Sequence, residues 1–150
     1  MLETGATLPE ITVADDAGVS TDLRSFVGSP LVLYFYPKDD TPGCTNEATQ
    51  FRDLFEQFER RNVRIVGVSR DGVESHATFK AKYELPYSLL ADVDSALSDA
   101  FGTVVERTAN GKTSIGVQRA TFYFDADGTL AHVWPKVNVD GHAEDVLSKI

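Results

Sequence analysis

Apolar residues follow one another along this chain in two different rhythms. From Leu31 to Tyr36 (LVLYFY) every position is apolar or aromatic, and Val63 to Val68 (VRIVGV) is nearly so. Such short continuous runs predict strands buried on both faces, in a sheet covered by helices. Between them the rhythm changes. Ala48, Phe51, Phe55 and Phe58 recur at spacings of three and four, which makes one apolar stripe on a helix from about Pro42 to Arg61. Thr41 stands where an N-cap belongs, and Pro42 suits the first helical position. Shorter elements complete the chain. Ile11–Val13 predicts a short strand, followed by the turn Asp15–Gly18 and a second extended piece. Thr21–Asp22 caps a brief helical turn through Phe26. A helix is predicted over Val73–Tyr83, a short strand over Leu89–Ala91 and a short helix over Ser95–Phe101. Ile115–Phe124 reads as a strand that turns at Asp125–Gly128 and returns as Leu130–Trp134, and His142–Ile150 closes the chain as a helix.

Strands alternating with helices in the first half predict an α/β fold with parallel pairing, and the late hairpin adds an antiparallel edge. The expectation is a mixed central β-sheet flanked by α-helices. No repeat, linker or low-complexity stretch divides the sequence, so residues 1–150 are expected to form a single domain. At 150 residues and 42% hydrophobic content the chain can bury a sizeable core. Its net charge of −9 argues against nucleic acid and anionic membranes as partners. No apolar run reaches the roughly 18 residues of a membrane span. The opening MLETGATLPE has neither a basic nor an apolar signal region, so the expected location is cytoplasmic.

Chemistry concentrates in the stretch YPKDDTPGCTNEATQF, which holds the only cysteine, Cys44. A lone cysteine excludes an internal disulfide and leaves a reactive or intermolecular thiol. Cys44 is predicted in the first turn of the Pro42 helix, where unpaired N–H groups and the positive end of the helix dipole favour an anion such as a thiolate. The preceding strand delivers this loop to the carboxyl end of the sheet, where open α/β sheets build their sites. Free cysteine is also a common core residue, and position alone leaves the two readings even. The surroundings favour reactivity: the Thr41 hydroxyl is within reach of the sulfur, Gly43 permits close approach, and Pro37 and Pro42 stiffen the loop. Arg119, in the apolar context Val117–Phe124, calls for a partner; taken by itself it reads as a residue snorkelling to the surface. Glu47 reads equally as a surface acid near the helix start.

The segment Pro37-Lys38-Asp39-Asp40-Thr41-Pro42-Gly43-Cys44 resembles the active-site loop of the peroxiredoxins, Pro-x-x-x-Thr-x-x-Cys. The longer string YFYPKDDTPGCTNEA is similar to the bacterioferritin-comigratory, or PrxQ, branch of that family. GATLPEITVAD, GVESHATFKAKYELPYSLLAD, RATFYFDADGTLAHVWPKV and GHAEDVL extend the likeness in order over nearly the whole chain. The resemblance implies a thioredoxin-like fold and a cofactor-free peroxidase. It makes Cys44 the thiol that attacks peroxide and becomes a sulfenic acid. Thr41 would contact thiolate and peroxide, Pro37 would shield the thiolate, and Arg119 would hold the thiolate and polarise the peroxide. Glu47 would orient Arg119, and the N–H groups of Gly43 and Cys44 would bind the peroxide. Hydrogen peroxide or an organic hydroperoxide is the implied substrate, and a monomer is the implied state.

The chain departs from that branch at one telling position. Many of its members carry a second cysteine five residues after the first, and here Thr49 stands there. Reduction of an oxidised Cys44 must then come from an external thiol: thioredoxin, glutaredoxin with glutathione, or a low-molecular-weight thiol. Other readings have less behind them. A thioredoxin-type reductase would need a cysteine at Thr41 and a proline at Ala120. A Cys–His hydrolase would need His76, His132 or His142 linked to Cys44, and no local signature links them. A single-cysteine redox sensor is the main alternative. Asp39–Asp40 reads as a solvated loop pair, and Asp125–Gly128 as a turn rather than a calcium loop.

Overall fold

The computed structural model describes all 150 residues. Its strands are β1 (Thr12–Asp15), β2 (Ser20–Asp22), β3 (Leu31–Phe35), β4 (Arg64–Ser69), β5 (Ser88–Ala91), β6 (Val104–Ala109), β7 (Lys112–Val117), β8 (Ala120–Phe124) and β9 (Leu130–Trp134). The helices are α1 (Pro42–Asp53), α2 (Phe55–Arg60), α3 (Val73–Tyr83), α4 (Ala96–Phe101) and α5 (His142–Ser148), with a 3-10 turn at Leu23–Phe26. Seven strands form one sheet in the order β2-β1-β5-β4-β3-β8-β9. Its centre, β5-β4-β3, is parallel, while β8, β9 and β1 join antiparallel. This is the mixed sheet flanked by helices that the hydrophobic pattern predicts.

All five residues of β3 are buried, and they divide by the two-residue period of a strand. Val32 and Tyr34 face α1, α2, α3 and α5, together with Tyr36 just beyond the strand; Leu31, Leu33 and Phe35 face α4 and the N-terminal segment. A chain of hydroxyls ties the first layer to the sheet: Tyr34 and Tyr87 share a 2.8 Å hydrogen bond, and Tyr87 donates to the Ala48 carbonyl on α1 at 2.8 Å. Gly67 leaves room for this arrangement, since a Cβ there would lie 3.0 Å from the Tyr34 ring and 2.9 Å from Leu89.

Two predicted elements are corrected. The helix from Pro42 is interrupted at Leu54 (φ −100, ψ 4), so the apolar stripe is split between α1 and α2; Phe51 and Phe58 are fully buried while Phe55 sits at the margin. The strand Ile115–Phe124 breaks at Gln118–Arg119. Its first part, β7, leaves the main sheet and pairs with β6 in a separate hairpin turning at Asn110–Gly111, both with positive φ (53 and 76). Asn-Gly is the strongest short-range hairpin signal, so β6 was legible from residues 110 and 111. The break has a consequence for chemistry: it lifts Arg119 out of regular pairing, so its side chain is free to turn toward α1.

Candidate active site

Loop 36–41 leaves the carboxyl end of β3 and enters α1 at Pro42. Thr41 occupies the N-cap position with extended backbone (φ −94, ψ 155), but its side chain makes no capping bond. Its hydroxyl donates instead to the Lys38 carbonyl at 2.9 Å and closes the loop on itself. The expected capping role is therefore replaced by a turn-closing one, and no hydrogen bond joins Thr41 to the sulfur. The N–H groups of Gly43 and Cys44 have no hydrogen-bond partner in the chain, as the first turn of a helix requires.

Cys44 is 1% exposed and stands in the first turn of α1. Arg119 reaches it from the break between β7 and β8: Nη2 lies 3.3 Å from Sγ, while Nη1 donates to Glu47 Oε1 at 2.7 Å. One guanidinium thus serves two acceptors one helical turn apart on α1. Gly43 makes this approach possible, because a Cβ at that position would stand 3.2 Å from Arg119 Nη2. The close approach that Gly43 permits is that of the arginine. Glu47 is a buried ion-pair partner, not a surface acid, and is wholly inaccessible to water. Burial pushes its carboxyl up to about 7, against the opposing pull of Arg119. Its second oxygen, Oε2, has no hydrogen-bond partner, and His142 Nε2 lies 4.0 Å away. His142 is buried at the start of α5, bonded to the Thr121 hydroxyl at 2.7 Å, and burial lowers it to about 4. Pro37 is exposed at the entrance of the loop, and Thr41 and Gly43 are half-buried. Thr49 donates to the Thr45 carbonyl at 2.9 Å within α1.

The structure therefore brings Cys44, Arg119, Glu47 and Gly43 into one cluster, with Thr41 and Pro37 on the loop that leads into α1. Sequence reasoning passed over Asp39. It is not solvated: it is buried and accepts hydrogen bonds from Tyr36, Ser75 and His76, while Asp40 beside it is exposed. Asp39, Asp71 and His76 bring possible ligand atoms within 4.8 Å of one another. Hydrogen bonds already engage those groups.

Residues 4–133 match the AhpC/TSA family. The chain belongs to that family. Its relatives there include the peroxiredoxin Bcp of Xanthomonas campestris, 41% identical over 100% of this chain and 94% of its own length. The peroxiredoxin Bcp of Bacillus subtilis is 40% identical, covering 99% and 95%. The solved structure of the X. campestris bacterioferritin comigratory protein, described for its alkyl peroxide reduction activity, matches with a TM-score of 0.91 at 39% identity, covering 97% of this chain and 96% of its own. The thioredoxin-like peroxiredoxin fold and the bacterioferritin-comigratory branch that the sequence resembles are thereby established. X. campestris peroxiredoxin Q has been solved with serine at each of two cysteine positions; this family member has Cys44 alone.

Proposed function

We propose that this AhpC/TSA protein is a one-cysteine, thiol-dependent peroxidase. The observation that carries the reading is the placement of Arg119 between Cys44 and Glu47. A thiolate at Cys44 attacks one oxygen of the peroxide. The S–O bond forms as the O–O bond breaks, the sulfur loses two electrons, and the departing oxygen takes from solvent the proton that the thiol released on ionising, leaving as water or an alcohol. Negative charge moves from sulfur to the leaving oxygen. Fixed donors around that path lower the barrier, because they need not reorganise as the charge shifts. Arg119 and the unpaired N–H groups of Gly43 and Cys44 are the donors in this reading. The Thr41 hydroxyl donates its hydrogen bond to the Lys38 carbonyl, which leaves its oxygen to accept a hydrogen bond from the peroxide O–H. Pro37 narrows the entrance.

With no second cysteine in the chain, the sulfenic acid on Cys44 is reduced from outside. One external thiol displaces water to give a mixed disulfide, and a second thiol releases Cys44 and carries away the disulfide. Burial of Cys44 favours a small thiol, or a protein thiol able to open the first turn of α1. A coupled assay with hydrogen peroxide tests this with thioredoxin, glutaredoxin plus glutathione, or dithiothreitol as reductant. At least one should sustain many turnovers, and Cys44→Ser should abolish them. Oxidation without turnover in all three would favour the single-cysteine sensor.

A further inference from the structure

The same loop is held from behind by a second buried charged cluster, and its hydrogen bonds define its protonation. His76, on α3, has no exposed surface. Its Nε2 lies 2.9 Å from the Leu90 carbonyl on β5, and its Nδ1 lies 2.7 Å from Asp39 Oδ2. A carbonyl only accepts, so Nε2 carries a hydrogen. The proton on the other side belongs on Nδ1, because Asp39 already receives two hydroxyl donors that favour its carboxylate: Tyr36 at 2.6 Å and Ser75 at 2.7 Å. The Asp39 N–H is also engaged, donating to Asp71 Oδ2 at 2.8 Å, which the Ser69 hydroxyl reaches at 2.6 Å. Asp39 has thus committed its N–H and both side-chain oxygens.

We propose that Asp39 and His76 are a positioning pair for Cys44: a buried imidazolium–carboxylate clasp that fixes loop 37–41 against α3 and β5, and through it sets the first turn of α1. The proposal rests on the peroxidase reading above. Three observations support it beyond the ion pair. Asp39 lies two residues before Thr41, whose hydroxyl closes the loop on Lys38. Asp40 adopts a left-handed backbone (φ 56), which aspartate tolerates better than most residues and which its surroundings hold in place. Those surroundings are α3 once more, where Lys82 Nζ and the Tyr83 hydroxyl each donate to the Asp40 carboxylate at 2.7 Å. Buried ion pairs add little net stability over apolar replacements, since desolvation offsets their attraction, whereas removing one partner is costly. What this clasp contributes is a single loop conformation. The shifts agree in sign. Hydrogen bonds and charge from Asp39 outweigh burial and raise His76, and hydrogen bonds from His76 and Tyr36 outweigh burial and lower Asp39.

The test compares two reactions of the same sulfur. Attack on hydrogen peroxide needs the positioned first turn, while alkylation by iodoacetamide needs a thiolate and enough opening around the buried sulfur to admit the reagent. Asp39→Ala should slow the peroxide reaction at least about tenfold and leave alkylation unchanged or faster. Asp39→Asn should keep both rates within about threefold of the unaltered protein, because a neutral His76 can accept from the amide through Nδ1. Should Asp39→Ala fail to fold, His76→Gln should show the same split, since one amide cannot serve both Asp39 and the Leu90 carbonyl from one geometry. A long-range proton–nitrogen correlation spectrum of the unaltered protein at about pH 7.5, above the ordinary histidine range, should show His76 protonated on both nitrogens. A neutral His76 ring, a peroxide rate within twofold of normal in a folded Asp39→Ala protein, or parallel loss of both rates would overturn the proposal. An imidazolium at His76 in a protein that consumes no peroxide would instead overturn the peroxidase reading and leave the ion pair standing.

Discussion

Arg119 is the residue on which the site turns, because it alone touches both Cys44 and Glu47. Its planar fork lets two nitrogens serve two acceptors at once, which the point charge of lysine cannot reproduce. Arg119→Lys should therefore slow the stopped-flow reaction of Cys44 with peroxide on the order of a hundredfold, in the range seen when one fixed donor is removed from a charge-stabilising site. Gly43→Ala tests the same contact from the other side. Its Cβ would press on Nη2 at 3.2 Å, so the guanidinium must shift by a few tenths of an ångström, and the peroxide rate should fall while the fold persists. Glu47 and His142 carry a different signature. Glu47 titrates at about 7 in the folded protein instead of 4.5, so the folded state binds its proton more tightly than the unfolded chain does. The resulting penalty is absent below pH 4.5 and complete above about 7. His142 titrates at about 4 instead of 6.5, so its penalty is absent above pH 6.5 and complete below about 4. Each amounts to about 3 kcal/mol. Between pH 4.5 and 6.5 the two slopes oppose and nearly cancel. In urea denaturation, Glu47→Gln should gain stability relative to the unaltered protein as pH rises from 4.5 to 7. His142→Gln should gain it as pH falls from 6.5 to 4.

At the scale of elements, local chemistry and long-range geometry were unequally legible. The buried runs of β3 and β4 are periodic signals, and each became the expected strand; the stripe from Ala48 to Phe58 gave the start of a helix at Pro42 but not its break at Leu54. Cys44 could be placed at a helix mouth because capping and proline preferences act over a few neighbouring residues. Arg119 was harder, since its partners lie 72 and 75 residues away, and only a resemblance to a family linked them before the sheet topology did. Asp39 and His76 are 37 residues apart and were missed for that reason. An acidic pair in a loop reads as solvated unless the basic partner behind it is known. The β6–β7 hairpin was missed although its Asn-Gly turn lies in plain view, because the apolar run from Ile115 suggested one unbroken strand. That hairpin forms its own two-stranded sheet. Gly111→Ala, at φ 76, should cost about 1 kcal/mol or more in a chemical-denaturation measurement. It should leave the peroxide rate within about twofold, well under the factor of ten that 1.4 kcal/mol of barrier would bring.

At the scale of the molecule, the sheet is a frame that holds one loop. β3 launches it, α3 and β5 clasp it through Asp39 and His76, and the break before β8 aims Arg119 at it. The two apolar layers make that frame stiff enough to keep a cation, a buried carboxylate and a sulfur within a few ångströms. In such a frame Cys44 should react with peroxide faster than an ordinary thiol, and without a second cysteine. The most direct measurement mixes reduced protein with one equivalent of hydrogen peroxide, follows thiol loss by rapid quench, and weighs the intact product. An adduct of about +16 Da on Cys44, a sulfenic acid, should form at least about a hundredfold faster than on free cysteine. An unmodified Cys44, or a rate equal to that of free cysteine, would contradict the peroxidase reading.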